Sequence, residues 1–193
     1  MRVLRGQNYR RMPWKNGGGE TTEIAIFPEG AGLDDFDWRV SMARVEASGP
    51  FSLFAGIDRT LAILDGAGII LSVEGRIPFG LTARSEPLTF PADVATSAAL
   101  IAGPITDLNV MTRRGRLAHK VARHEFSGSI EIAFDAAETL LLCHSGDIKV
   151  SAGGEQASLR QFDTAIFGKY PSTARIDAHG RATVFVIGID RLS

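Results

Sequence analysis

Lys15, Asn16, Glu20, Thr21 and Glu23 crowd around three consecutive glycines, Gly17-Gly18-Gly19, in the segment from Met12 to Ile24. Polar groups are thus concentrated where the backbone carries no side chains, takes positive φ freely and can approach a ligand or a neighbouring strand closely. The segment is not a phosphate loop, which ends in Gly-Lys-Ser/Thr and opens a helix. Nor is it a dinucleotide fingerprint, which runs from a strand into a helix. Its continuation from Thr21 to Phe27 is β-branched and aromatic, a strand composition. A plain turn into a strand is the bland alternative to a ligand-facing loop.

A second chemical signal lies in strand parity. Trp38, Val40 and Met42 alternate with Arg39, Ser41 and Ala43; Ile24 and Ile26 alternate with Thr21, Glu23 and Ala25; Leu108 and Val110 alternate with Asp107, Asn109 and Met111. Strand side chains point alternately to opposite faces, so each strand has one apolar face and one polar or small face. A wet outer surface produces the same alternation. Solvent-facing positions, however, favour long polar side chains. Here small residues sit among fixed hydrogen-bonding groups, which suits a lumen holding a small polar ligand.

The elements that must position these residues read as strands. Apolar runs of four to seven residues, bounded by Gly, Pro, Asp and Ser, recur along the 193 residues, and no sustained helical period accompanies them. The expected strands include Thr60–Leu64, Ile69–Val73, Ser97–Ile101, Ser129–Phe134, Thr139–Cys143, Ile148–Ser151, Phe162–Phe167, Thr173–Ile176 and Ala182–Ile189; the alanine-rich stretch from Phe90 to Ala102 is ambiguous. Many short strands at regular spacing argue an all-β sandwich or barrel. Leu61–Ile69 and Leu140–Ile148 share one plan, an apolar run, a Gly turn and a second apolar run. Two copies of one small β-barrel are therefore expected, residues 1–115 forming one and 116–193 the other. The junction carries Arg113, Arg114, Arg116, Lys120 and Arg123, which reads as a solvated connector rather than a nucleic-acid surface.

Net charge is −1, so nothing global attracts a polyanion or an anionic membrane. Cys143 is the only cysteine, which excludes an intramolecular disulfide and suits a reducing compartment. The opening residues lack an apolar leader-like run, and the stretch from Leu88 to Ile105 is broken by Pro91, Asp93 and Pro104. The expectation is a cytoplasmic protein that spans no membrane and binds no nucleic acid.

Pro13-Trp14-Lys15-Asn16-Gly17-Gly18-Gly19-Glu20-Thr21, Phe36-Asp37-Trp38-Arg39-Val40-Ser41-Met42-Ala43, Gly49-Pro50-Phe51-Ser52 with Gly56-Ile57-Asp58-Arg59, and Asp107-Leu108-Asn109-Val110-Met111 together resemble the HutD/Ves family. The resemblance runs in order along essentially the whole chain, with its motifs before about Arg123. It implies a bicupin, two jelly-roll barrels in one chain, usually paired as a homodimer. For HutD-type members it implies binding of a metabolite of histidine utilisation and a limit on operon expression. Ves-type members are tied to stress or cold.

A metal-binding cupin needs a His-x-His pair, a Glu and a later His. No histidine precedes His119, and none of His119, His124, His144 and His179 has that spacing, so no metal and no other cofactor is expected. At the corresponding place the chain offers Arg39 and Arg59, whose planar forks pair bidentately with carboxylates. With Lys15, Asn16, Ser41, Ser52 and Asn109 as polar groups and Phe51 or Trp14 over its apolar part, the expected ligand is a small carboxylate; the resemblance implies a metabolite of histidine catabolism, of the urocanate or formylglutamate type. One arginine is expected to be spent on a structural ion pair, with Asp58, Asp107, Glu20 or Glu23. No catalytic constellation appears, which favours a binding protein. A metal-independent isomerase or lyase using Glu23 or Asp107 as base, and an interaction module with no ligand, stay open.

Overall fold

The computed structural model describes residues 1–169 and 171–192. Its strands, in chain order, are β1 (Arg2–Leu4), β2 (Arg10–Pro13), β3 (Gly19–Phe27), β4 (Trp38–Val45), β5 (Gly49–Pro50), β6 (Ile57–Asp65), β7 (Ile69–Val73), β8 (Phe79–Leu81), β9 (Leu88–Pro91), β10 (Thr96–Leu100), β11 (Ile105–Arg113), β12 (Leu117–Ala133), β13 (Glu138–Ser145), β14 (Ile148–Ala152), β15 (Glu155–Leu159), β16 (Thr164–Phe167) and β17 (Thr173–Arg191). The fold is all-β: among the described residues the helical content is one three-residue 3-10 turn, Gly6–Asn8. No helix among them is long and apolar enough to cross a membrane.

The chain divides into two compact units, Arg10–Leu117 and a second made of Met1–Tyr9 with Ala118–Ser193. The first nine residues, grouped with the N-terminal half on sequence spacing, thus join the C-terminal unit. There β1 runs antiparallel to β16 with Arg2 opposite Ile166, and the Arg5 guanidinium donates to Asp163 at 2.7 Å. That pairing joins residues 160 positions apart, which local pattern does not reveal.

The unit spanning 10–117 holds two sheets, a six-stranded one ordered β2-β3-β4-β11-β6-β9 and a four-stranded one ordered β5-β10-β7-β8. Leu61, Ile63 and Phe90 from the first pack with Ile69, Leu71, Val73 and Ala98 from the second, which defines the inner faces. In the other unit one sheet runs β1-β16-β13-β17-β14-β15, with β12 also paired to β17. Its core gathers Leu141, Cys143, Val150, Phe167 and Val184. Cys143 lies fully inside, and burial pushes its thiol up to about 12, so it packs as a small apolar side chain and is no nucleophile.

The repeat seen in the sequence is a repeated hairpin. β6 leads through Gly66 into β7, and β13 leads through Gly146 into β14. Register shifts skip one residue just before each turn, Leu64 in one case and His144 in the other. Gly66 and Gly146 both have positive φ, 93° and 86°. A Cβ on either would meet the strand that pairs beside the hairpin, at 2.8 Å from Ile105 on β11 and 2.9 Å from Ala182 on β17.

Thr173–Ile176 and Ala182–Ile189, expected as two strands, are one strand, β17. It pairs with β14 over Arg175–Ala178 and with β13 over Thr183–Ile189. The chain changes partners across His179-Gly180 instead of turning. The ambiguous stretch after Phe90 resolves into the end of β9 and β10, without a helix. Short edge strands such as β2, β8 and β15 carry little pattern of their own and are set by their neighbours.

Gly66→Ala and Gly146→Ala each force a left-handed backbone and an overlap, costing about 2 kcal/mol or more. Each is expected to lower the thermal midpoint by about 4 °C or more. Gly154→Ala, with φ of 83° but open space around its Cβ, costs less. Differential scanning calorimetry of the three variants checks the order.

Candidate functional site

Three cross-strand rows build the inner face of the six-stranded sheet. The first places Ile26, Arg39, Met111, Arg59 and Phe90 in register; the second Glu23, Ser41, Asn109 and Leu61; the third Thr21, Ala43, Asp107 and Ile63. The face is therefore polar on β3, β4 and β11 and apolar on β6 and β9, with Arg59 at the seam. Arg39, Ser41, Arg59, Asp107 and Asn109 are all buried, Asp107 to 1% exposure. The small-polar parity face is interior rather than wet surface.

Each buried charge is handled differently. The Arg39 Nε donates to Glu23 Oε2 at 2.8 Å, an ion pair across β3 and β4. Arg59 has no carboxylate in contact among the described residues. Its Nη2 donates a long 3.4 Å bond to the Ser52 carbonyl, and its guanidinium carbon lies 5.1 Å from the Phe51 ring centre and 5.3 Å from that of Phe54. Two aromatic faces thus hold the cation through their quadrupoles. The Arg59 Nε is buried and makes no hydrogen bond among the described residues. Burial pulls the Arg59 guanidinium down to about 10, opposed by Asp107 and reinforced by Arg39. Asp107 accepts from Asn109 Nδ2 at 2.6 Å and from the Ala43 N–H, while burial pushes its carboxyl up to about 7 against the pull of Arg59.

The other unit serves as an internal control. Aligning the two hairpins at their turn glycines sets Thr139, Leu141 and Cys143 against Arg59, Leu61 and Ile63. The paired strand then sets Val184, Val186 and Gly188 against Asp107, Asn109 and Met111. There the same architecture closes over Leu141, Cys143, Val184 and Val186, with Thr139 as a buried neutral polar group whose Oγ1 also has no partner among the described residues, so it does not require buried charge. The polar rows are an addition to the fold, made at the cost of desolvating two guanidiniums and two carboxylates.

These residues do not suit a metal ion. Two guanidiniums face the same space, its carboxylates are already engaged, and among the described residues no three His, Cys, Asp or Glu side chains converge. Anion chemistry fits; cation chemistry does not.

The family profile of HutD matches residues 6–186. The chain belongs to the HutD family. An uncharacterized 21.2 kDa protein in the hutC 3′ region of Pseudomonas putida is 37% identical over 161 residues, 81% of this chain and 80% of that one. Protein Ves of Citrobacter koseri is 44% identical over 117 residues, 58% of this chain and 59% of its own. The structure of HutD from Pseudomonas fluorescens SBW25, in a formate condition, superposes with a TM-score of 0.80 at 33% identity over 100% of this chain and 99% of that one. A cupin 2 conserved barrel domain protein from Leptotrichia buccalis matches at a TM-score of 0.58 and 10% identity over 94% of this chain and 96% of its own, which shows a cupin-like barrel fold and nothing more.

Of the residues singled out in this HutD-family chain, Arg39, Ser41, Arg59 and Asn109 share the buried inner face, and Phe51 packs on Arg59. Ser52 is exposed and offers Arg59 only its carbonyl. Lys15 and Asn16 are exposed on the turn between β2 and β3, where the Asn16 side-chain oxygen takes the Gly18 N–H at 3.0 Å. The triple glycine serves packing as well: a Cβ on Gly19 would lie 2.2 Å from the Arg44 carbonyl oxygen. Trp14 donates its Nε1–H to Thr21 rather than closing over Arg59. Phe54, the second ring on Arg59, was not singled out, and its only signal was aromatic character five residues before an arginine. Asp58 is taken by Arg114 at 2.8 Å, leaving Glu23 as the arginine partner on the inner face. Arg113 and Arg116 from the basic stretch bind the Phe36 carbonyl and Asp37.

Asp107 has its carboxyl raised from 3.8 to about 7 by folding. Between those values the folded state holds the extra proton, so stability falls as pH rises through the window and the penalty is complete above it. Asp107→Asn keeps an acceptor for Asn109 and cannot ionise. Its thermal midpoint is expected to exceed that of the parent by more at pH about 8 than at pH about 5, as read by scanning fluorimetry.

Proposed function

We propose that this HutD-family protein binds a small carboxylate metabolite on the inner face of its N-terminal barrel and modulates histidine utilisation without catalysing a reaction. One observation carries the reading: the Arg59 guanidinium is buried, held by two aromatic rings, and leaves Nε without a partner among the described residues, where the matching position of the other unit holds the neutral Thr139. A buried donor left unmade costs about 1–3 kcal/mol, and a ligand carboxylate recovers it. Ser41 and Asn109 line the same rows and supply neutral hydrogen bonds. Leu61 and Phe90 beside Arg59 accept the apolar part of a urocanate- or formylglutamate-sized acid. The relative beside hutC supports the link to histidine utilisation. The doubled hairpin supports reading the two units as two jelly-roll barrels.

The protein is expected to act in the cytoplasm without metal and as a homodimer, the commonest symmetric assembly. Light scattering at about ten micromolar would then give twice the chain mass of 20.7 kDa.

Asp107 supports a second reading. A buried carboxyl titrating near neutrality beside a cation is suited to proton transfer, as a metal-independent isomerase or lyase requires.

A thermal-shift screen with urocanate, formylglutamate, formate, glutamate and histidine identifies the ligand, and NMR of the mixture separates the readings: binding without product supports a sensor, product an enzyme, and silence in both an interaction module. Arg59→Lys keeps the charge and loses the fork, so calorimetric affinity for the best hit is expected to fall about tenfold or more with the fold intact. If Arg59→Lys and Asn109→Ala fold and bind as the parent does, the site lies elsewhere.

A further inference from the structure

The charges on the inner face balance before any ligand arrives. Arg39 on β4 and Arg59 on β6 contribute two positive charges, Glu23 on β3 and Asp107 on β11 two negative ones. The remaining partners of these rows are neutral: Thr21, Ser41, Asn109, Met111, Leu61 and Phe90. The four-stranded sheet packed against them presents Leu71, Val73 and Ala98, none of which titrates. Arg10, opposite Glu23 on β2, is exposed to solvent. A carboxylate entering this interior leaves one uncompensated negative charge in a low-dielectric space, a costly state that proteins relieve by protonation.

We propose that the site takes up its carboxylate together with one proton, held on the Asp107 side chain. This rests on the reading of the inner face as a carboxylate site. Asp107 is the group placed to accept the proton. Glu23 is already paired directly with Arg39 at 2.8 Å, and its side chain is 16% exposed. Asp107 is 1% exposed and, among the described residues, has no guanidinium within hydrogen-bonding distance and is held by the Asn109 amide and a backbone N–H alone. Its attraction to Arg59 favours the ionised form more than the Asn109 and Ala43 hydrogen bonds do, and an incoming carboxylate competes for that same cation. Protonation then removes the repulsion and turns one Asp107 oxygen into a donor. The free carboxyl already titrates near neutrality, so the uptake needs no extreme pH. Occupancy would report acidity as well as metabolite concentration.

The test uses formate and formylglutamate, both fully ionised from pH 6 to pH 8.5, with the full chain in a calorimeter. Affinity is expected to be about tenfold or more tighter at pH 6 than at pH 8.5. At pH about 8.5, where the free carboxyl is ionised, the binding heat should change between two buffers of different ionisation enthalpy by an amount equal to uptake of close to one proton. Asp107→Asn, neutral at every pH, is expected to bind at pH 8.5 about as well as the parent does at pH 6, with no proton uptake. Equal affinity of the parent at both pH values, with no buffer-dependent heat, overturns the proton linkage and leaves the carboxylate site standing. Linkage that persists in Asp107→Asn assigns the proton to another group and overturns the role given to Asp107. No binding of either acid at any pH overturns the site itself, and the linkage with it.

Discussion

The Arg59 guanidinium, desolvated inside a β-barrel-like unit without a carboxylate in contact, is the constraint around which the site is organised. Removing an isolated cation from water is costly, and the fold offsets that cost in pieces: two aromatic faces, one long bond to a carbonyl, and the longer-range pull of Asp107. None of these fully satisfies the fork. An apolar side chain in the same place would cost less than this unmet donor.

The other unit shows that cheaper solution. Both units use the same bulged hairpin, the same glycine at the turn and the same pairing of that hairpin with a long central strand. One fills the inner rows with Leu141, Cys143, Val184 and Val186; the other carries Arg59, Asp107 and Asn109. The two units share this hairpin plan, and one keeps a largely apolar core where the other carries buried charges.

Coupling among the buried charges follows from their spacing. Arg39 and Arg59 flank Met111 in one row, burial and the neighbouring Arg39 both pull Arg59 down, and Glu23 pairs only with Arg39. Asp107 sits two rows away, close enough to feel Arg59 and too far to bond it. Burial raises its carboxyl to about 7, and at that separation the pull of Arg59 offsets the rise only in part.

The all-β class, the strands from Trp38 to Val45 and Ile69 to Val73, the repeated hairpin and the shared face of Arg39, Ser41, Asp107 and Asn109 were legible in the chain. Each is a local property, since a period of two and a turn glycine are written in neighbouring residues. Family membership was legible for the same reason, as short motifs in order. Other facts depended on contacts distant in sequence. Tertiary pairing put residues 1–9 with β16, ran β17 through His179-Gly180 by a change of partner, and turned a polar face inward by laying the four-stranded sheet across it. It also chose between the arginines, giving Glu23 to Arg39 through the register of β3 on β4 and leaving Arg59 to two rings. It left Lys15 and Asn16 in solvent, because a turn at the end of a hairpin follows the backbone and need not enter the barrel. Residue types and alternation settle which groups share a face; only the packing of one sheet on another settles whether that face is wet or dry, and with it what a charge there can do.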